Sequence, residues 1–169
     1  MNPANRLHQA GQSLWLDNIT RKLLTSGQLA RYIADASVTG LTSNPSIFDK
    51  AITGSDDYDE QVRQLAAKGL GQEAVFFELA LDDLTKAAGL FEPVWRATGG
   101  VDGWVSLEVS PRLVHDTKKT VAEAKTLHQT ADAPHLFIKV PGARAGLPAI
   151  DARAFEATPV TLTLLSYPP

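Results

Sequence analysis

The chain has 169 residues, 44% of them hydrophobic and 21% charged, with no cysteine and a net charge of -3. This is the balance of a globular protein with enough length to bury a core, and it excludes a disulfide scaffold, a cysteine-ligated zinc site and thiol catalysis. Mixed charge offers no basic face to nucleic acid and no polybasic patch to lipid, so a small-molecule partner is expected. The start, Met1 to His8, lacks a signal-peptide core, and no later segment has the apolar length of a membrane span. A cytoplasmic protein is the expectation.

Short β-like runs alternate with amphipathic stretches. Ser13 to Ile19 is the first run and Ser37 to Asn44 the second, with a helix between them that Thr20 can cap. Ser55, Asp56 and Asp57 open a helix ending near Gly69, and Glu73 to about Ala88 form another, with Phe76, Phe77, Leu79, Ala80 and Leu84 close to helical spacing. Val101 to Val109 read as the third strand, followed by a helix around Thr117 to Leu127. His135 to Gly142 form the fourth strand and Pro159 to Ser166 the fifth. With no linker or repeat, residues 1–169 read as a single α/β domain of successive crossovers around parallel strands.

Side chains alternate across a strand, so the polar residues sort by face. In the third strand Val105, Leu107 and Val109 share one face, and Trp104, Ser106 and Glu108 the other. The same rule places Trp15 with Asp17, Phe137 with Lys139, and Thr161 with Thr163. A doubly wound sheet binds ligands on loops beyond its strand ends, whereas chemical groups recurring on the strands themselves argue for a barrel lumen. Trp15 and Trp104 read as core fillers. Lys139 stands out as the lone cation of an apolar strand. Burial there disfavours its charged form and suits a Schiff-base nucleophile; the alternative is a strand-end lysine whose stem packs while its head reaches water.

The runs Leu14-Trp-Leu-Asp-Asn-Ile19, Val38-Thr-Gly-Leu-Thr-Ser-Asn-Pro-Ser-Ile-Phe48, Val101-Asp-Gly-Trp-Val-Ser-Leu-Glu-Val109 and Leu136-Phe-Ile-Lys-Val-Pro-Gly142 resemble, in order, the strand motifs of the transaldolase family in its bacterial form. The resemblance covers about Gln12 to Leu165. It implies a class I aldolase-type (β/α)8 TIM barrel, of which this chain carries about the first five β/α units. The implied reaction moves a dihydroxyacetone unit from a ketose phosphate, such as sedoheptulose 7-phosphate or fructose 6-phosphate, to an aldose phosphate in the non-oxidative pentose phosphate pathway. Neither a metal nor an organic cofactor is implied.

By this resemblance Lys139 forms the Schiff base and Asp17 is the base for the donor hydroxyl. Glu108 handles protons during dehydration through water with Thr163, and Asn44 hydrogen-bonds a substrate hydroxyl. Three of these have a local alternative: Asp17 as a cap or charge partner of the next helix, Glu108 as an ordinary strand-end carboxylate, and Asn44 as the closing residue of its turn.

Near its end the chain departs from the family pattern. Thr161 stands where the family has asparagine, Ala143 follows Pro-Gly in place of threonine, and the segments from Arg153 to Pro159 and from Ser166 to Pro169 differ. A complete barrel needs eight strands, and the phosphate-gripping serine and arginine groups would lie beyond this sequence. The reading is therefore a C-terminally truncated member, completed by another copy or by a complementing C-terminal barrel fragment. The alternatives are an inactive assembly or binding fragment, and a fructose 6-phosphate aldolase-like enzyme. Val160, Leu162 and Leu164 are expected to lack covering helices.

Overall fold

The computed structural model describes residues 2–142 and 159–163. In chain order its elements are α1 (Pro3–Gln9), β1 (Leu14–Asp17), α2 (Arg21–Thr25), α3 (Gln28–Ala36), β2 (Val38–Thr42), α4 (Pro45–Thr53), α5 (Asp59–Ala67), α6 (Gln72–Ala97), β3 (Trp104–Glu108), α7 (Thr117–Ala131), β4 (Leu136–Pro141) and β5 (Val160–Thr163).

Several helices begin where the side chains dictate. Thr20 accepts from the Leu23 N–H at 3.0 Å and starts α2, so Asp17 is not its N-cap. Ser55 caps a short 3-10 turn, Asp56–Tyr58, that leads into α5. Helix α4, which the strand and helix patterns did not single out, starts from Asn44 as N-cap with Pro45 in the first turn, a position where proline forfeits no intrahelical bond.

The 26-residue α6 runs past the expected end at Ala88 to Ala97. Gly89 and Pro93 resemble stop signals, but Ala80, Leu84, Ala87 and Phe91 are all fully buried. Their spacing continues one helical stripe, and burying Phe91, together with the packing of Leu90 on the core and of Trp95 on His135, offsets the hydrogen bond lost at proline.

The five strands form one parallel sheet in the order β1-β2-β3-β4-β5. Their register sorts the side chains into continuous rows. On the outer face run Leu16, Leu41, Val105 and Leu136, then Leu107, Ile138 and Val160. Most of these join the main core with Leu84, Ala87, Ala88 and Phe91 of α6 and with Ala124 and Leu127 of α7. Val160, expected to lack a covering helix, is half-buried and packs on this core. The side chain of Leu162, and Leu164, Ala143 and the segments 153–158 and 166–169, lie outside the described residues.

On the inner face the rows are Trp15, Gly40 and Trp104; then Asp17, Thr42, Ser106 and Phe137; then Glu108, Lys139 and Thr161. The first row is an aromatic floor. Trp104 stacks on Phe137 with ring centroids 4.0 Å apart, and Trp15 lies 6.3 Å from the same ring. Trp15 crosses directly over Gly40, where a Cβ would stand 2.5 Å from the indole ring, so only glycine admits it. Trp15 is not the core filler expected, since it remains 39% exposed on the inner face.

A buried ionic cluster ties the helices together away from this face. Arg21 Nε meets Asp83 at 2.8 Å, and the Tyr58 hydroxyl donates to the other Asp83 oxygen, also at 2.8 Å. Burial pushes the Asp83 carboxyl and the Tyr58 phenol up from their ordinary values. At the foot of β4, His135 stacks on Trp95 and its Nε2 sits 2.9 Å from the Ala88 carbonyl, to which it donates.

Candidate active site

Lys139 sits within β4, where Leu136, Ile138 and Val140 turn outward into the core and it turns inward. Its neighbour in register is Glu108, the last residue of β3. The Lys139 ammonium lies 3.2 Å from Glu108 Oε2, and the two side chains are only 13% and 12% exposed. Nζ also donates to the Ser43 carbonyl at 2.7 Å. The stem therefore packs while the head is held by a carboxylate and a main-chain carbonyl. This is neither a lone cation in an apolar strand nor a lysine reaching freely to water.

The geometry of the pair is that of groups able to exchange a proton directly. An amine that is to act as a nucleophile must first lose a proton, and Glu108 is within direct reach to take it and return it. Beside the pair, Ser106 Oγ donates to Thr42 Oγ1 at 2.8 Å, and both hydroxyls belong to the inner face. Ser43, Thr42 and Ser106 were not among the residues proposed from sequence. Thr42 and Ser106 follow from strand parity once the register is known; the Ser43 contact is made by a backbone carbonyl and leaves no residue-type signature.

Asn44 follows Ser43 at the mouth of the sheet. Its Oδ1 accepts from the Ile47 N–H at 3.0 Å, so the turn-closing reading is realised, and the Nδ2 donors are not used by that cap. Asp17 ends β1 on the inner face and is exposed. It stands in the row of Thr42, Ser106 and Phe137, across two strands from Lys139. Thr163 pairs through its backbone with Pro141; its side chain lies outside the described residues. Thr161 is the inner-face neighbour of Lys139 and is partly buried.

A cavity of about 450 Å³ opens beyond the end of β3, lined by Pro45, Glu73, Phe76, Ser110 and Arg112 among others. Neither Lys139 nor Glu108 lines it. Its wall is braced by Ser110, whose Oγ donates to Glu73 at 2.6 Å and whose N–H donates to Glu123 at 2.8 Å. Burial, with the Glu73 charge adding to it, raises the Glu123 carboxyl, while the Ser110 N–H opposes that shift. Among the described residues no group of three or more His, Asp or Glu side chains could hold a metal ion, and no helix is long and apolar enough to cross a membrane.

Residues 14–167 match the family described as Transaldolase/Fructose-6-phosphate aldolase. A transaldolase of Saccharopolyspora erythraea is 48% identical over 159 residues, 94% of this chain and 43% of that protein. One from Thermobifida fusca is 48% identical over 164 residues, 97% of this chain and 45% of its own length. A third, from Mycobacterium ulcerans, is 46% identical over 159 residues, again 94% and 43%. The chain thus spans less than half the length of these relatives. Near-complete coverage by the family, together with five consecutive parallel strands presenting polar groups on one face, places the chain in the Transaldolase/Fructose-6-phosphate aldolase family, whose fold is a β/α TIM barrel.

Proposed function

We propose that this chain carries the Schiff-base centre of a transaldolase, which transfers a dihydroxyacetone unit from a ketose phosphate to an aldose phosphate. The observation carrying the reading is the Lys139–Glu108 pair, 3.2 Å apart and largely shielded, on a face that also presents Asp17. Glu108 takes a proton from the ammonium, and the freed amine adds to the ketose carbonyl. Glu108, through water and with Thr163, then serves the proton transfers that expel water and leave an iminium on Lys139.

Asp17 accepts the proton of the hydroxyl next to the scissile carbon–carbon bond. The bonding electrons move into the iminium, the aldose fragment departs, and the resulting enamine attacks the acceptor aldehyde. Asn44 holds a sugar hydroxyl through its Nδ2. The setting is the non-oxidative pentose phosphate pathway in the cytoplasm. Sugar phosphates are the small-molecule partners, and another copy or a complementing barrel segment supplies the remaining wall and the phosphate grip.

Borohydride reduction in the presence of fructose 6-phosphate tests the reading. The expected result is a sugar-derived mass on the peptide containing Lys139 and none in Lys139→Met. Equal labelling of the variant would refute the assignment. Adding erythrose 4-phosphate then separates transfer from simple aldol cleavage, because only transfer yields sedoheptulose 7-phosphate.

A further inference from the structure

The ladder between β2 and β3 ends at the pair Thr42 and Ser106. At the next position Ser43 is 0% exposed, and its Oγ donates to the Ser106 carbonyl at 2.9 Å. A side-chain hydroxyl thus takes the place of a ladder N–H and keeps the end of β2 fastened to β3 where strand pairing has stopped. The Ser43 carbonyl accepts from Lys139 Nζ at 2.7 Å, closer than the 3.2 Å separating that ammonium from Glu108.

The far side of the turn is held as well. Asn44 has extended backbone, with φ -142° and ψ 164°, as the ring of the following proline requires. Its side chain closes the first turn of α4 on Ile47. The carbonyl facing Lys139 is therefore anchored by a buried hydroxyl on its own residue and by a capped helix immediately after it.

We propose that Ser43 is the positioning residue for the Lys139 amine. This rests on the Schiff-base reading above. A neutral amine has two N–H donors and one lone pair. With one N–H held by the Ser43 carbonyl, rotation about the Cε–Nζ bond is restricted, and the lone pair left after Glu108 takes the proton is fixed on the Glu108 side, along the N–H bond just broken. The Ser43 hydroxyl acts only through its carbonyl and touches no reacting atom.

Two measurements on the full chain test this, using Ser43→Ala and Ser43→Thr. One is the rate of borohydride-trappable adduct formation with fructose 6-phosphate. The other is hydrogen exchange of the Lys139 ammonium by nitrogen-15 NMR, assigned with Lys139→Met. In Ser43→Ala, adduct formation should slow about tenfold at unchanged half-saturating sugar, and ammonium exchange should quicken about tenfold, as expected for the loss of one orienting hydrogen bond. Ser43→Thr keeps the hydroxyl and should restore both.

A folded Ser43→Ala with wild-type exchange, or a Ser43→Thr no better than alanine, would overturn the proposal. Where Ser43→Ala does not fold, Ser43→Cys, a weaker donor of similar size, takes its place with the same criteria. Absence of any sugar adduct in the wild type would overturn the Schiff-base reading, while the exchange measurement would still judge whether Ser43 holds the amine.

Discussion

Replacing Glu108 by glutamine removes a charge and a proton acceptor while changing the shape little. In the native pair, Lys139 Nζ and Glu108 Oε2 are 3.2 Å apart, with both side chains about one-eighth exposed. The glutamine carbonyl can still accept from the ammonium, and the Ser43 carbonyl contact at 2.7 Å remains, so the stability loss should stay below the about 3–5 kcal/mol that an uncompensated buried charge costs. Catalysis should suffer as well, because an amide can neither take the ammonium proton nor return it to the departing hydroxyl. Losing a positioned general acid–base costs at least about a hundredfold, or about 2.7 kcal/mol of barrier. The assay is rapid mixing with fructose 6-phosphate followed by borohydride quench and intact-mass analysis, with urea unfolding in parallel. A folded Glu108→Gln that forms the imine at the wild-type rate would refute the proton-transfer role and leave Glu108 as a charge partner only.

Asp17 stands in a different row from the lysine pair, so Asp17→Asn should form the imine at near-normal rate while carbon–carbon cleavage falls about a hundredfold; equal defects in trapping for Asp17→Asn and Glu108→Gln would remove the division of labour. Gly40→Ala places a Cβ 2.5 Å from the Trp15 ring and should cost about 1–3 kcal/mol by urea unfolding; in a Trp15→Ala background most of that cost should vanish, and a purely additive double mutant would contradict the contact. The Glu123 carboxyl is raised by burial, so its folded form binds a proton more readily than its unfolded form. Its contribution is therefore present at low pH and lost as pH rises through the folded value. Glu123→Gln, which keeps an acceptor for the Ser110 N–H, should match or exceed wild-type stability at pH 7 by at most about 1 kcal/mol, an advantage that shrinks as pH falls through the folded value and is gone below the ordinary glutamate value. A variant advantage that grows on acidification would show the sign to be wrong.

The sheet was legible because alternation in parallel strands is a strict code. Once Val105, Leu107 and Val109 are assigned outward, Glu108 must face inward, and the neighbouring Lys139 follows by register. Helix ends were less legible. Gly89 and Pro93 weaken a helix locally, and only the tertiary burial of Phe91 shows why α6 continues. Of the site, Lys139 announces itself as a cation between apolar neighbours, yet its companions do not all have side-chain signals. Ser43 acts through a carbonyl common to every residue type, and its burial depends on β3 ending two residues beyond Ser106. Trp15 was misplaced because a large aromatic residue in a strand suggests core, whereas here Gly40 opens a slot for it on the inner face.

Helix α6 has a mechanical consequence. Its 26 residues correspond to about 39 Å of rod, with Glu73 near one end fastened to Ser110 beyond β3, and Ala88 and Trp95 toward the other engaging His135 at the entrance to β4. The helix thus behaves as a strut between the two rims of the sheet. A push delivered at the His135 rim would be carried along a stiff body to the loop that follows Glu108, so substitutions there are expected to change the spacing of Lys139 and Glu108 without touching either.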